Sequence, residues 1–210
     1  MKIKKLISAL VLGSMLVGLS GCNITDFSAE NLLRPPKAVG DEAEIEQLIA
    51  KTADSGYTLK YPKNGKFRSA IIMTDLDGND SNEAVAFFRN SAETSSVHML
   101  VMYSKDNSWE IASDNIFETT DIDFADLTGN GKAEIIVNST TYTPNVGKLS
   151  CYSYSEGKTN EVGSGQSCSS FVTGDFDNDG TSEIMSLVLY TTENEALASM
   201  LDYNEDSKSL

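Results

Sequence analysis

The stretch DFDNDGTSEI, residues 175–184, is the third appearance of one pattern. Residues 75–85 read DLDGNDSNEAV and residues 126–137 read DLTGNGKAEIIV. The copies start at Asp75, Asp126 and Asp175, so they lie 51 and 49 residues apart. A near-fixed spacing of this size marks a repeat architecture, in which each unit buries its apolar face only against its neighbours. The grammar is constant: a short apolar run, an acidic turn, then a β-rich run opened by a glutamate.

The segments between the copies read as strands. SAIIMTD and EAVAFFR flank the first turn, FETTDIDFAD and EIIVNST the second, SSFVTGD and EIMSLVLY the third. VHMLVMYS and WEIAS surround KDNS, a hairpin turn by its Asp-Asn pair, and a further turn falls at EGK. Val, Ile, Phe and Tyr dominate, as pleated half-buried surfaces prefer. The expectation is an all-β region over 57–210 with about four short antiparallel strands per repeat. Four-stranded units at this period are the blades of β-propellers. Three blades are expected around 66–113, 117–165 and 169–210, the last incomplete, which makes a partial propeller with unpaired edges.

The N-terminus is of another kind. Lys2, Lys4 and Lys5 precede 14 apolar or weakly polar residues from Leu6 to Leu19, too short a run to span a bilayer comfortably. The following LSGC resembles the lipobox of bacterial lipoproteins. That resemblance implies a signal peptide at 1–21, a lipid on Cys22 and a protein held on the outer side of a membrane. Residues 22–40, with Pro35 and Pro36, read as a tether. Over 41–56 an amphipathic helix is expected: Ile45, Leu48, Ile49 and Ala53 recur at helical spacing. Asp41, Glu42 and Glu44 fall in its first turn, where the helix dipole favours anions.

Sixteen basic residues stand against 31 acidic ones, a net charge of −15. Nucleic acid, whose phosphates need a basic patch, is excluded as a partner. Cys151 and Cys168 sit on two strand-like runs about a turn, so a disulfide and two packed thiols both remain open. His98 is the only histidine and lies inside a strand-like run, where packing is its expected role. No catalytic constellation emerges: there is no phosphate-cradling glycine loop and no zinc-type cluster.

The acidic turns carry the chemistry. In the third, Asp175, Asp177 and Asp179 alternate so that a tight turn aims all three inward, Gly180 allows the sharp bend, and Glu183 follows. Hard oxygens at this density suit Ca²⁺, which takes six to eight of them. An EF-hand would need an acid at the twelfth position; Ala86, Val137 and Ser186 stand there, and the flanks are strands. The first turn offers Asp75, Asp77, Asn79 and Glu83, with Asp80 in the glycine position. The second keeps Asp126, Asn130 and Glu134, but Thr128 replaces an acid, so it is expected to be the weakest.

These turns resemble the Asp-x-Asp-Gly-Asp-Gly loops of FG-GAP or VCBS repeats, the blades of integrin-α-like propellers. LLRPPK and YTLKYPKNGKFRSAIIMTDLDG also resemble VCBS-repeat bacterial lipoproteins. The resemblance covers most of the chain after Cys22. It implies that the residues just named bind Ca²⁺ and staple two strands of each blade. It says little about activity. The expected function is a membrane-anchored binding or interaction module for a protein or glycan ligand. The alternative is a piece of a larger cell-surface enzyme, for example one acting on polysaccharide, with its catalytic part elsewhere.

Overall fold

The computed structural model describes residues 39–54, 56–62, 66–92, 96–117, 119–140, 146–190, 194–204, 206–207 and 210. The expected signal peptide, Cys22 and all but the last two residues of the tether lie outside them. Helix α1 (Asp41–Ala53) has the acidic first turn and Lys51 in its last, and it buries Ile45, Ile49 and Ala53. It stops short of residue 56 because Asp54 takes a left-handed φ of 53°. Among the described residues no helix is long and apolar enough to cross a membrane.

The rest is β, in three antiparallel sheets. The first contains β1 (Tyr57–Leu59), β2 (Ile71–Thr74), β3 (Glu83–Asn90), β4 (Val97–Lys105) and β5 (Ser108–Phe117). The second contains β6 (Thr119–Ala125), β7 (Glu134–Thr140), β8 (Gly147–Ser155) and β9 (Lys158–Cys168). The third contains β10 (Ser170–Gly174), β11 (Glu183–Tyr190) and β12 (Glu195–Leu201). None of the three is closed on itself. The first sheet has one strand more than expected: β1 pairs with the far half of β3, through Tyr57–Asn90 to Leu59–Phe88, beside β2 on the near half.

Turn chemistry sets the register. β4 and β5 meet at Asp106-Asn107 with φ of 50° and 59°, and β8 and β9 at Glu156-Gly157 with φ of 50° and 75°. Two successive left-handed residues give the two-residue turn whose twist matches antiparallel strands.

The sheets are layered face to face, with α1 on the outside of the first. Ile45, Ile49 and Ala53 of α1 pack on Ala84, Ala86, Phe88, Leu100 and Met102. The opposite face, with Val85, Phe87, Met99 and Val101, packs on Ile122, Ile135, Val137 and Tyr154 of the second sheet. The second sheet turns Leu127, Ile136, Leu149, Cys151 and Cys168 toward Phe171 and Ile184 of the third. Each side chain fully buried this way contributes roughly 1.5–3 kcal/mol, so stability resides in the layer contacts.

Cys151 and Cys168 are free, buried thiols in this packing. Cys151 pairs with Gly163, whereas Cys168 pairs with Gly147, four positions from Cys151 along β8. That offset is roughly 13 Å at about 3.3 Å per residue, beyond the roughly 7 Å that a disulfide spans. Burial pushes the Cys168 thiol up to about 11 and the Cys151 thiol higher still. His98 is buried, stacks on Phe88 with ring centroids 4.8 Å apart, and its Nδ1 lies 2.8 Å from Asp114 Oδ1.

Candidate metal centre

The three acidic turns occupy equivalent places, between β2 and β3, β6 and β7, β10 and β11. Their backbone is built the same way each time. The first aspartate accepts bonds from N–H groups further along the turn. Asp75 takes Gly78, Asn79 and Asp80 at 2.7, 3.2 and 2.9 Å. Asp126 takes Asn130 and Gly131 at 3.1 and 2.7 Å. Asp175 takes Asp179 and Gly180 at 3.1 and 3.2 Å. The fifth residue then accepts from the seventh: Asn79 from Ser81, Asn130 from Lys132, Asp179 from Thr181.

The opening glutamate of the following strand closes the turn. Glu83, Glu134 and Glu183 are 3, 1 and 1 % exposed. Their Oε2 atoms accept the N–H groups of Leu76, Leu127 and Phe176 at 2.8, 2.9 and 2.7 Å. The chain turns back through left-handed residues at the fourth and sixth positions: Gly78 and Asp80, Gly129 and Gly131, Asn178 and Gly180. Sequence reasoning found the sixth; the fourth needs the same conformation, which Asn tolerates better than most side chains.

Within this common frame the turns differ in charge. One ligand oxygen from each of Asp175, Asp177, Asp179 and Glu183 lies within 4.8 Å of the others, and Asp75, Asp77 and Glu83 converge likewise. Each like-charged pair about 4 Å apart costs roughly 1 kcal/mol even in bulk water, and more where solvent is excluded. In the first turn Asp77 Oδ1 is buried with no hydrogen-bond partner. The second turn has two carboxylates, not three, and the Thr128 hydroxyl donates to Glu134 Oε1 at 3.3 Å. The donor supplied by Thr128 meets the need that a cation could meet in the other two.

The electrostatics follow. Desolvation raises Glu83, against the Leu76 N–H and with help from Asp77 and Asp75. Desolvation raises Glu134 too, against the Leu127 N–H. For Asp75 desolvation pushes upward, but the backbone N–H groups of Asp80, Gly78, Asn79 and Asp77 outweigh it and hold the carboxyl below its ordinary value. The Thr181 hydroxyl and N–H lower Asp179. Clusters one and three could hold a metal ion: the donors are hard oxygens, and one of them is a buried orphan.

Sequence reading missed a second acidic feature. Asp121 and Asp123, two apart on β6, share a face of the strand and are 3 and 5 % exposed. Asp123 accepts the Thr173 hydroxyl at 2.6 Å and pairs with Lys66 at 3.0 Å, which links the leading strands of the second and third sheets and the segment before β2. Burial, with Asp123 nearby and Arg68 opposing, pushes Asp121 up to about 6. The signal was present in DIDFAD: acids alternating inside a strand-like run, where Asp is disfavoured.

Searches of protein families, curated proteins and solved structures find no match to this chain.

Proposed function

We propose that the chain is a calcium-stabilised repeat module of the FG-GAP or VCBS kind, with its three sheets as blades of a partial propeller. The reading further takes it to be lipid-anchored through Cys22 on the outer side of a bacterial membrane, where it binds a protein or glycan. The observation that carries the calcium part is the contrast between turns: carboxylates converge where the third position is Asp77 or Asp177, and a hydroxyl bond replaces one of them at Thr128. Asp175, Asp177, Asp179 and Glu183 would hold one Ca²⁺, and Asp75, Asp77, Glu83 and Asn79 another. The ion would supply the positive charge that the converging carboxylates lack, and so fix the turns that join the first two long strands of each sheet. The three-sheet repeat at 51 and 49 residues supports the blade reading.

Extracellular calcium modules bind at about 10⁻⁴–10⁻³ M, so millimolar Ca²⁺ adds on the order of 1 kcal/mol per site. For a chain this long that raises the thermal midpoint by a few degrees, roughly 2–4 °C per kcal/mol. Unfolding in chelator, in Ca²⁺ and in Mg²⁺ checks it; an equal shift with Mg²⁺, or none with either, removes calcium from the reading. The anchor is checked separately by fatty-acid labelling, which Cys22→Ala should abolish. Binding of the chain to a glycan array would separate a glycan ligand from a protein one.

A further inference from the structure

The second sheet breaks the repeat on the face it turns to the third. Counted back from the residue opposite each opening glutamate, Asp123 and Asp121 stand where the first sheet has Ile72 and Ala70. All four positions are sealed: Ala70 and Ile72 are 3 and 5 % exposed, Asp121 and Asp123 also 3 and 5 %. The first sheet fills these positions with apolar side chains, so packing does not call for two carboxylates. Burying charge there costs stability unless donors surround it. Asp123 has three donors: the Phe124 N–H at 2.9 Å, the Thr173 hydroxyl at 2.6 Å and Lys66 Nζ at 3.0 Å. Asp121 Oδ1 is buried with no hydrogen-bond partner. The charged and titratable groups that face Asp121 are Asp123 on its own strand, Arg68 from the segment before β2, and Cys168 from β9. Asn138 stands opposite it on β7, and β10 brings the uncharged Thr173 to the pair.

We propose that Asp121 is a proton-operated clasp between the second and third sheets. With a proton on Asp121 the pair holds one negative charge, which Lys66 and the Thr173 hydroxyl of β10 meet. Without the proton a second charge is buried beside the first, with no donor on Oδ1. Water reaches that charge when the contact between β6 and β10 opens. The strain falls on this contact rather than inside the second sheet, because β6 stays paired with β7 from Asp121 to Ala125. Burial, with Asp123 nearby and Arg68 opposing, pushes the Asp121 carboxyl up to about 6. A carboxyl raised in this way contributes a stability that is complete below its unfolded pKa and is lost as pH rises through the folded one. The clasp therefore holds the third sheet in acid and slackens as pH rises through about 6. It needs no metal ion, so it is tested in chelator, apart from the calcium reading.

Cys168 reports the opening. Its thiol is 0 % exposed and packs in the contact between the two sheets. Burial raises it, and Asp121 lies near enough to add to that. The intact chain is treated with a small uncharged thiol reagent, and digestion with mass spectrometry assigns the label to Cys168. Rates are divided by those of free cysteine at each pH, which removes the titration of the thiol itself. Between about pH 5 and about pH 7 the corrected rate should rise about tenfold, as expected for one carboxyl that regains its ordinary pKa in the open form. Dilute urea should change the rate far less than it changes global unfolding, as a local opening requires. Asp121→Asn keeps the uncharged shape and should hold the rate at its acid value throughout. If that variant does not fold, Asp123→Asn carries the test: with the neighbouring charge gone, the rise should move to lower pH. A rate flat with pH in the unaltered chain, a rise that survives Asp121→Asn or stays in place in Asp123→Asn, or a urea dependence equal to that of global unfolding would overturn the clasp.

Discussion

The second and third acidic turns share a backbone and differ in what completes it. Both wrap N–H groups around a leading aspartate, and both are latched by a buried glutamate holding the N–H of the turn's second residue. At the third position one has Thr128 and the other Asp177. The hydroxyl gives Glu134 a donor from inside the turn; the carboxylate gives Glu183 a further like charge. The difference separates two roles that the repeat pattern merges. The leading aspartate and the glutamate build the turn in both, while the third and fifth positions, Thr128 and Asn130 against Asp177 and Asp179, set how many carboxylates converge in it. The turns also stack, since Ser182 N–H donates to Asp126 O at 2.8 Å, so the two chemistries sit side by side.

The largest effect should come from the shared latch. Glu134→Ala leaves the Leu127 N–H unpaired in a site that is 1 % exposed. A buried donor stripped of its partner costs about 1–3 kcal/mol. Urea unfolding should show that loss equally in chelator and in Ca²⁺. Glu183→Ala should match it in chelator and lose more in Ca²⁺, because the ion's contribution goes too. If both variants respond to Ca²⁺ alike, the two turns are not chemically distinct.

That latch marks the limit of what the sequence discloses. Glu83, Glu134 and Glu183 stand out as acids opening strands, and the layer contacts follow from alternating apolar residues beside them. That the same glutamates accept a backbone N–H seven residues earlier depends on left-handed residues at two turn positions, each of which is glycine in only two of the three copies. The pairing of Tyr57–Leu59 with the far end of β3 is equally hidden. It joins a three-residue strand to a partner some 30 residues away, and no local pattern encodes that. The two cysteines fail for a related reason. Their strands do pair, as expected, but register puts them four positions apart, and register is a property of the turn at Glu156-Gly157 rather than of the cysteines.

A smaller effect should come from converting one turn into the other. Thr128→Asp adds a third carboxylate beside Asp126 and Glu134 and deletes the hydroxyl bond to Glu134. In chelator the change should destabilise by about 1 kcal/mol, the cost of one like-charged pair in contact with water. In millimolar Ca²⁺ the loss should disappear, with a third bound ion counted by titration calorimetry. The reverse change, Asp177→Thr, should remove one ion from the count and leave stability in chelator unchanged or slightly higher. A calcium count that does not follow the third position would assign the selectivity to another residue.

Protons give the smallest and most local version of the comparison. The folded carboxyls of Glu83, Glu134 and Asp121 lie above their ordinary values because burial disfavours the charged form. Groups of this kind contribute a stability that is complete below the unfolded pKa and is lost as pH rises through the folded one. Asp75 and Asp179 are shifted the other way, and what they contribute is lost only as pH falls below the ordinary carboxylate range. Between about pH 4 and about pH 7 the raised groups therefore dominate, and in chelator the thermal midpoint should climb as the solution is acidified. Asp121, with its pKa of about 6, sets the upper edge of that window, so Asp121→Asn should flatten the climb near pH 6 while leaving the calcium count intact. In Ca²⁺ the climb should shrink, because a proton that relieves Glu83 would compete with an ion held in the first turn. A midpoint that falls steadily with acid in chelator would mean that N–H and hydroxyl donors, the Thr128 hydroxyl on Glu134 among them, stabilise these buried carboxylates as anions more than burial disfavours them.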